Sequence, residues 1–214
     1  MARKGSSSRV RAQWRATYEQ TGYQDLPWFD PDPSPQVVSA VSERFLRPGS
    51  AVLDVGCGAG SNVLYLARQG YESHGIDLSP GAVSAANERA GKEGLTVDVR
   101  EGDVLDLRFP AGRFGGAIDN GCFHTLPPRR RRAYALELAR VLSPGGALVL
   151  SWIGRESTLL RGPPHRPSLA EVTAALEKEF LFTRTEFHPA PPSGGHCIYD
   201  AWLTRRSSPQ PPPR

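Results

Sequence analysis

The stretch AVLDVGCGAG, residues 51–60, constrains this chain more than any other. An apolar run that ends in an acid and then breaks into closely spaced glycines reads as a buried strand entering a tight loop. The following SNVLYLARQG places Val63, Leu64, Leu66 and Ala67 on one side, which predicts an amphipathic helix ended by Gly70. Strand, loop and helix in that order form the first turn of a parallel α/β unit. In open parallel sheets such a turn lies at the carboxyl end of a strand, where the start of a helix offers backbone N–H groups to a ligand. The question of function therefore begins at Asp54, Gly56, Cys57, Gly58 and Gly60.

The rest of the chain repeats this alternation. Val10, Trp14 and Tyr18 predict a helix from Arg9 to Gln20, closed by Gly22. The proline-rich DLPWFDPDPSP follows, and its Trp28 and Phe29 suit either a hydrophobic plug or a lid over a pocket. Ser34 as N-cap and Pro35 at the first helical position open a helix with the stripe Val37, Val38, Val41, Phe45 and Leu46. YESHGIDLS is a second strand ending at Asp77, and Ser79 with Pro80 starts the helix GAVSAANERAGKEG. LTVDVREGD runs as a third strand to Asp103, and FGGAIDNGCFHTL as a fourth with its carboxyl end at Asp119 to His124. Pro127 and Pro128 open a helix through Val141, and SPGGALVLSWI is a turn into a fifth strand. SLAEVTAALEKEF predicts a further helix, and EFLFTRTEFH with GGHCIYDAWLTR predicts an antiparallel pair. Strands and helices at this spacing define an α/β class built on a parallel sheet.

A length of 214 residues suits one domain. No apolar run approaches the roughly 20 residues that cross a bilayer, and three cysteines are too sparse for a disulfide framework, which fits a reducing cytoplasm. The sequence pI of about 9.2 raises the question of a nucleic-acid partner. Five Lys or Arg lie within residues 1–15 and three within 205–214, leaving 18 basic against 22 acidic groups between them. The basicity thus belongs to Ser- and Pro-rich ends and not to a folded face, which argues against a nucleic-acid partner. The expected division is a basic tail over 1–8, one domain over 9–204 with a helical lid at about 9–48, and a Pro-rich tail over 205–214. A monomer or a homodimer is expected.

A glycine loop with an acid about 20 positions on suits a dinucleotide as well as another adenosine-containing cofactor. Asp54 separates them. A pyrophosphate would meet its carboxylate at a repulsion of about 4 kcal/mol for unit charges ~4 Å apart at an effective dielectric near ~20. S-adenosylmethionine has no phosphate and carries a sulfonium and an ammonium, so the same acid attracts it. Asp77 can accept from both ribose hydroxyls and Asp103 from the exocyclic amine of adenine.

VLDVGCGAG, HGIDLS, REGDVLDL and VLSPGGALVLSW, in that order, resemble the successive motifs of class I S-adenosylmethionine-dependent methyltransferases, over about residues 34–152. The resemblance implies a Rossmann-like fold: a seven-stranded, mostly parallel sheet with one antiparallel strand and helices on both faces. It implies that Gly56, Gly58 and Gly60 line the methionine and ribose and that Cys57 supplies backbone. Asp77 with Leu78 would bind the ribose, and Asp103 with Val104 would frame the adenine. LPWFDPDPSP and DNGCFHTLPP resemble the small-molecule branch that includes tellurite-resistance, thiopurine and thiol methyltransferases. In that branch Asp119, Asn120 and Gly121 would touch the cofactor and later residues the substrate. Asn120 stands where that branch often has a charged or hydroxyl residue, and NGCF replaces the [DN]PP[YF] motif of enzymes that methylate amines of the adenine or glutamine type.

Methyl transfer is a displacement that needs nucleophile and methyl held ~3–3.5 Å apart, with a base where the acceptor is protonated. His124, past the fourth strand, is the candidate base. Trp28, Phe29, Phe123, His124, the RGPPHRP linker with His165, and His196 or Tyr199 make up the candidate substrate wall. The Cys and His pairs lack zinc-ligand spacing, so no metal is expected. Arg129 to Arg132 read as a solvated face, with an acidic substrate group as the alternative. The expected activity is methyl transfer from S-adenosylmethionine to an oxygen, sulfur or nitrogen of a small aromatic or heterocyclic molecule. An NAD(P)-dependent oxidoreductase and a non-catalytic S-adenosylmethionine-binding protein are the alternatives.

Overall fold

A computed structural model describes residues 5–157 and 165–207. The five expected strands before residue 155 form in order: β1 (Ala51–Val55), β2 (Glu72–Asp77), β3 (Asp98–Glu101), β4 (Phe114–Asn120) and β5 (Leu142–Ile153). After them come β6 (Phe180–His188) and β7 (Ile198–Arg205). They make one seven-stranded sheet in the order β3-β2-β1-β4-β5-β7-β6. Strands β1 to β5 pair in parallel, whereas β7 runs antiparallel to both of its neighbours, β5 and β6. One reversed strand in an otherwise parallel sheet is the expected architecture.

The helices are α1 (Gly5–Gln20), α2 (Pro35–Ser42), α3 (Ser61–Arg68), α4 (Pro80–Lys92), α5 (Pro128–Val141) and α6 (Leu169–Leu176). Strand β1 is buried along its whole length, so apolar residues cover both of its faces, as a central parallel strand requires. On one face Leu53, Leu148 and Leu150 join Tyr134 and Leu138 of α5 and Val172 and Leu176 of α6. On the other, Val52, Ile118 and Val149 join Val37 and Ala40 of α2 and Leu66 of α3. Two helix layers on opposite faces leave the carboxyl ends of β1, β2 and β4 as one rim.

Several boundaries differ from expectation: α2 stops at Ser42, β3 at Glu101, β4 at Asn120 and α6 at Leu176, each short of the reading above. Helix α1 begins at Gly5, so residues 5–8 are helical and not part of a tail. Strand β5 begins at Leu142, because Leu142 already pairs with Phe114 and the SPGG segment is a register slip inside the strand before Ala147 pairs with Gly116. Ser34 and Ser79 are N-caps by position only, since neither side chain caps its helix. The backbone N–H of Ser34 instead donates to Asn62 Oδ1, and that of Ser79 to Asp77 Oδ1. The pair β6–β7 falls where expected; residues 208–214 of the expected Pro-rich tail lie outside the described residues, as do residues 158–164, which hold the first part of the RGPPHRP linker. Among the described residues no helix is long and apolar enough to cross a membrane.

Candidate cofactor site and the loops that border it

The loop between β1 and α3 turns on three glycines in the left-handed region, with φ of 70° at Gly56, 54° at Gly58 and 83° at Gly60. Each is needed for a different reason. A Cβ on Gly56 would meet Cys122 Cβ at 2.8 Å, so the β1 loop and the loop after β4 approach there. A Cβ on Gly60 would meet Ala86 Cβ at 2.9 Å, so this glycine serves the packing of α3 on α4. A Cβ on Gly58 would lie 3.1 Å from the Tyr18 hydroxyl. Helix α1 therefore reaches over the loop and sets a phenol above Gly58.

The backbone amides of the loop are partly spoken for. Gly56 and Cys57 both donate to Ile76 O, and Gly60 donates to Cys57 O. Cys57 thus ties the loop to β2, and its sulfur points at β2, where a Cβ on Gly75 would come within 2.8 Å of it. Gly58 N–H donates to Asp77 Oδ2 at 3.0 Å. Asp77 is half-buried at the rim, and Leu78 beside it is also partly exposed. Asp103 accepts from Leu105 N–H at 3.0 Å and stands at the mouth of a cavity of about 380 Å³ walled by Ile76, Leu107 and Phe109. That cavity includes no residue of the glycine loop. Val104 is buried.

Three carboxylates converge here, and no ion pair among the described residues involves any of them. Asp54 is 2% exposed and no side-chain hydrogen bond reaches it among the described residues. Burial, then Asp119 and Asp77, push its carboxyl well above the usual range. Burial also raises Asp77, against its backbone hydrogen bonds, and raises Asp119 to about 6. Burying three neighbouring carboxyls disfavours ionising all of them together. A cation placed among the three would lower that cost.

Asp119 does different work from the cofactor contact expected of it. It is fully buried; Oδ1 accepts from Cys122 and Phe123 N–H at 2.8 and 3.1 Å, and Oδ2 from the Tyr134 hydroxyl at 2.5 Å. The carboxylate is used up in shaping the loop after β4. Asn120 accepts from Gln36 of α2 at 3.0 Å, and Gly121 N–H donates to Ser151 O. Phe123, expected in the substrate wall, is fully buried against Tyr134 in the core. His124 is 8% exposed, and its Nδ1 accepts the backbone N–H of Ile153 at 3.0 Å. Burial first, then His196 and Arg131, push it down to about 4. With Nδ1 occupied as acceptor, the neutral ring carries its proton on Nε2 and is a donor, not the expected base.

Among the lid residues, Trp28 is 52% exposed and packs edge-on against Trp14. Phe29 turns the other way, against Tyr23 and under Arg89, whose guanidinium ties Pro31 O and Ala59 O together. Tyr199 stacks on Trp152, its cross-strand partner, at 5.0 Å. His165 is partly buried near Arg131. Arg131 is buried, which corrects the reading of Arg129 to Arg132 as a solvated face; Arg132 pairs with Glu179. Tyr18 and Gln36 had no signal in the sequence beyond helical spacing, and Arg131 none that set it apart within its arginine run, because each acts through contacts with distant segments.

Residues 52–146 match the family model described as a methyltransferase domain. An uncharacterized methyltransferase of Schizosaccharomyces pombe is 33% identical over 99 residues, which cover 46% of this chain and 68% of that protein. The chain belongs to the methyltransferase-domain family. A 2-heptyl-1-hydroxyquinolin-4(1H)-one methyltransferase of Mycobacteroides abscessus is 32% identical over 125 residues, 58% of this chain. The match spans 54% of that enzyme, about half its length. The fold of this methyltransferase-domain protein also matches a Burkholderia thailandensis 1,6-didemethyltoxoflavin-N1-methyltransferase, solved with S-adenosylhomocysteine, at a TM-score of 0.74. The two are 22% identical, and the match covers 97% of this chain and 92% of that one. The cofactor of the family is S-adenosylmethionine, and the residues here fit it: a buried acid, Asp54, with no donor among the described residues for the cationic end, and rim carboxylates for hydroxyls and an amine.

Proposed function

We propose that this methyltransferase-domain protein transfers the methyl group of S-adenosylmethionine to an oxygen, sulfur or nitrogen atom of a small aromatic or heterocyclic molecule. The observation that carries the reading is the Asp54 carboxylate, buried beside the glycine loop with no donor of its own. Burial and the neighbouring acids hold it protonated, a cationic ligand end such as that of S-adenosylmethionine favours its ionised form, and a pyrophosphate brings no charge that would do so, which disfavours the nicotinamide alternative.

The cofactor supplies an electrophilic methyl on sulfur. Asp54 holds the positive end, Gly56 and Gly58 let it approach the backbone, Asp77 with Leu78 takes the ribose, and Asp103 with Val104 the adenine. Asp119 acts one step back, by fixing Cys122 and Phe123. Tyr18 and the exposed Trp28 close the lid over this end. The acceptor sits toward His124, His165, His196 and Tyr199, on the loops after β4 and β5 and on β7. His124 orients an acceptor atom through Nε2–H, so the chemistry relies on positioning and on an acceptor that arrives already nucleophilic. The heterocycle in the name of the Mycobacteroides abscessus relative supports a flat acceptor. The three cysteines are free, in keeping with a cytoplasmic setting.

The test is transfer of radiolabelled methyl to a panel of phenols, thiols, chalcogen anions and heterocycles. Labelled product from one class supports the reading. Tight S-adenosylmethionine binding with no transfer to any of them supports the non-catalytic alternative.

A further inference from the structure

Arg131 stands in a run of four arginines at the start of α5, yet it is only 4% exposed. Its Nε donates to Leu126 O at 3.3 Å and its Cζ lies 5.4 Å from the centre of the Phe123 ring. Among the described residues, neither terminal amino group has a hydrogen-bond partner and no carboxylate lies within ion-pair distance. A guanidinium offers five N–H donors in a fixed fork, and burying most of them unused is costly.

The groups around it offer no compensating anion. Glu171, the acid acting on Arg131, is already committed: its Oε2 accepts from Arg155 at 2.6 Å, from Ser168 N–H at 2.8 Å and from Ser168 Oγ at 3.2 Å. The other neighbours are Arg155, a second cation, and imidazoles. Arg131 disfavours protonation of His124 and of His165, and His196, whose Nδ1 is buried without a partner, adds to the effect on His124. The Nε2–H of His124 is a further donor in the same corner. A buried fork, a fixed imidazole donor and an unpartnered imidazole nitrogen, at the carboxyl ends of β4 and β5, are a built receptor for a planar oxyanion.

We propose that this corner binds an anionic oxygen group of carboxylate type on the methyl acceptor, with Arg131 as its main ligand. The assignment rests on the methyl-transfer reading for calling the ligand an acceptor, but its chemistry stands on Arg131 alone. An acid-bearing acceptor would be oriented by the fork, and the neutral amide of the same shape would leave the guanidinium buried and unpaired.

The test compares benzoate with benzamide as probes, by calorimetry or ligand-observed NMR, on the full chain with and without S-adenosylhomocysteine. Benzoate should bind at least about tenfold more tightly than benzamide, in line with a charge-assisted hydrogen bond. Arg131→Met should abolish the preference, Arg131→Lys should restore part of it, and neither should change the affinity for S-adenosylhomocysteine. Equal binding of the two probes, or binding of neither, overturns the assignment, as does a preference that survives in Arg131→Met. If Arg131→Met does not fold, the wild-type comparison still decides. Benzoate preference in a protein that takes up no S-adenosylhomocysteine supports the anion corner and overturns the methyl-transfer reading instead.

Discussion

The backbone N–H of Ile153 at the end of β5 donates to Nδ1 of His124 at 3.0 Å, so the imidazole is held as an Nε2–H donor. A ring in that state, pushed down to about 4 by burial, stays neutral over the working range. His124→Ala should lower turnover by positioning alone. The rate profile between about pH 5.5 and 9 should keep the wild-type shape, with no limb lost near the ordinary imidazole value of about 6.5. Loss of such a limb in the variant would restore His124 as a base.

Gly60 faces Ala86 closely enough to forbid a side chain, and its φ of 83° forbids one on its own account. Gly60→Ala should cost about 1–3 kcal/mol in chemical denaturation. Adding Ala86→Gly should recover only part of that loss, since it removes the contact and leaves the backbone strain. Full recovery would mean that the left-handed turn contributes nothing.

Tyr18 reaches from α1 to the glycine loop. Burial, then Asp77, raises its phenol, which therefore stays protonated and able to donate. Tyr18→Ala should leave the melting temperature within a few degrees, because α1 lies outside the main core, but should speed cofactor release by about tenfold or more. Tyr18→Phe should fall in between. Stopped-flow displacement of S-adenosylhomocysteine measures both; an unchanged release rate would remove α1 as a lid.

Asp119 shapes the loop after β4 through three accepted hydrogen bonds, so Asp119→Ala should destabilise by about 2–4 kcal/mol while Asp119→Asn keeps most of the geometry. Its folded carboxyl titrates at about 6, above the unfolded value of about 4. The unfolded state then ionises first, so this group costs the wild type stability as pH rises through that interval. Urea midpoints at about pH 4.5 and 7 should shift in favour of Asp119→Asn at the higher pH, and a shift the other way would contradict the assignment.

The strands and their order of chemistry were legible in the sequence because apolar runs and glycine breaks are local signals. Asp54, Asp77 and Asp103 could be read in the same way, since each lies at or within two residues of the carboxyl end of a strand. Long-range contacts were not legible. Nothing local distinguishes Asp119, fully buried with both oxygens accepting, from Asp77, whose oxygens also accept backbone N–H groups but which stays partly exposed at the rim. Phe123 and Trp28 look alike as aromatic residues in loops, yet one fills the core against Tyr134 and the other lies 52% exposed on the lid. Arg131 was hidden in a charged run because helical phase alone decides which of four arginines faces inward. Tyr18 was visible only as one member of a helical stripe, since its target lies forty residues further along.

Asp54 bears the central claim. Its buried carboxylate is raised by Asp119 and Asp77 as well as by burial, so a cationic ligand should draw off its proton on binding. Calorimetric titration of the wild type and Asp54→Asn with S-adenosylmethionine, and with NAD⁺ as the contrast, tests this directly when run in buffers of different ionisation enthalpy. The wild type should bind S-adenosylmethionine with proton release and with affinity that rises with pH, and should not bind NAD⁺. Asp54→Asn should bind S-adenosylmethionine at least about tenfold more weakly and without that proton. Equal affinity in the two proteins, or tight NAD⁺ binding by the wild type, would contradict the account.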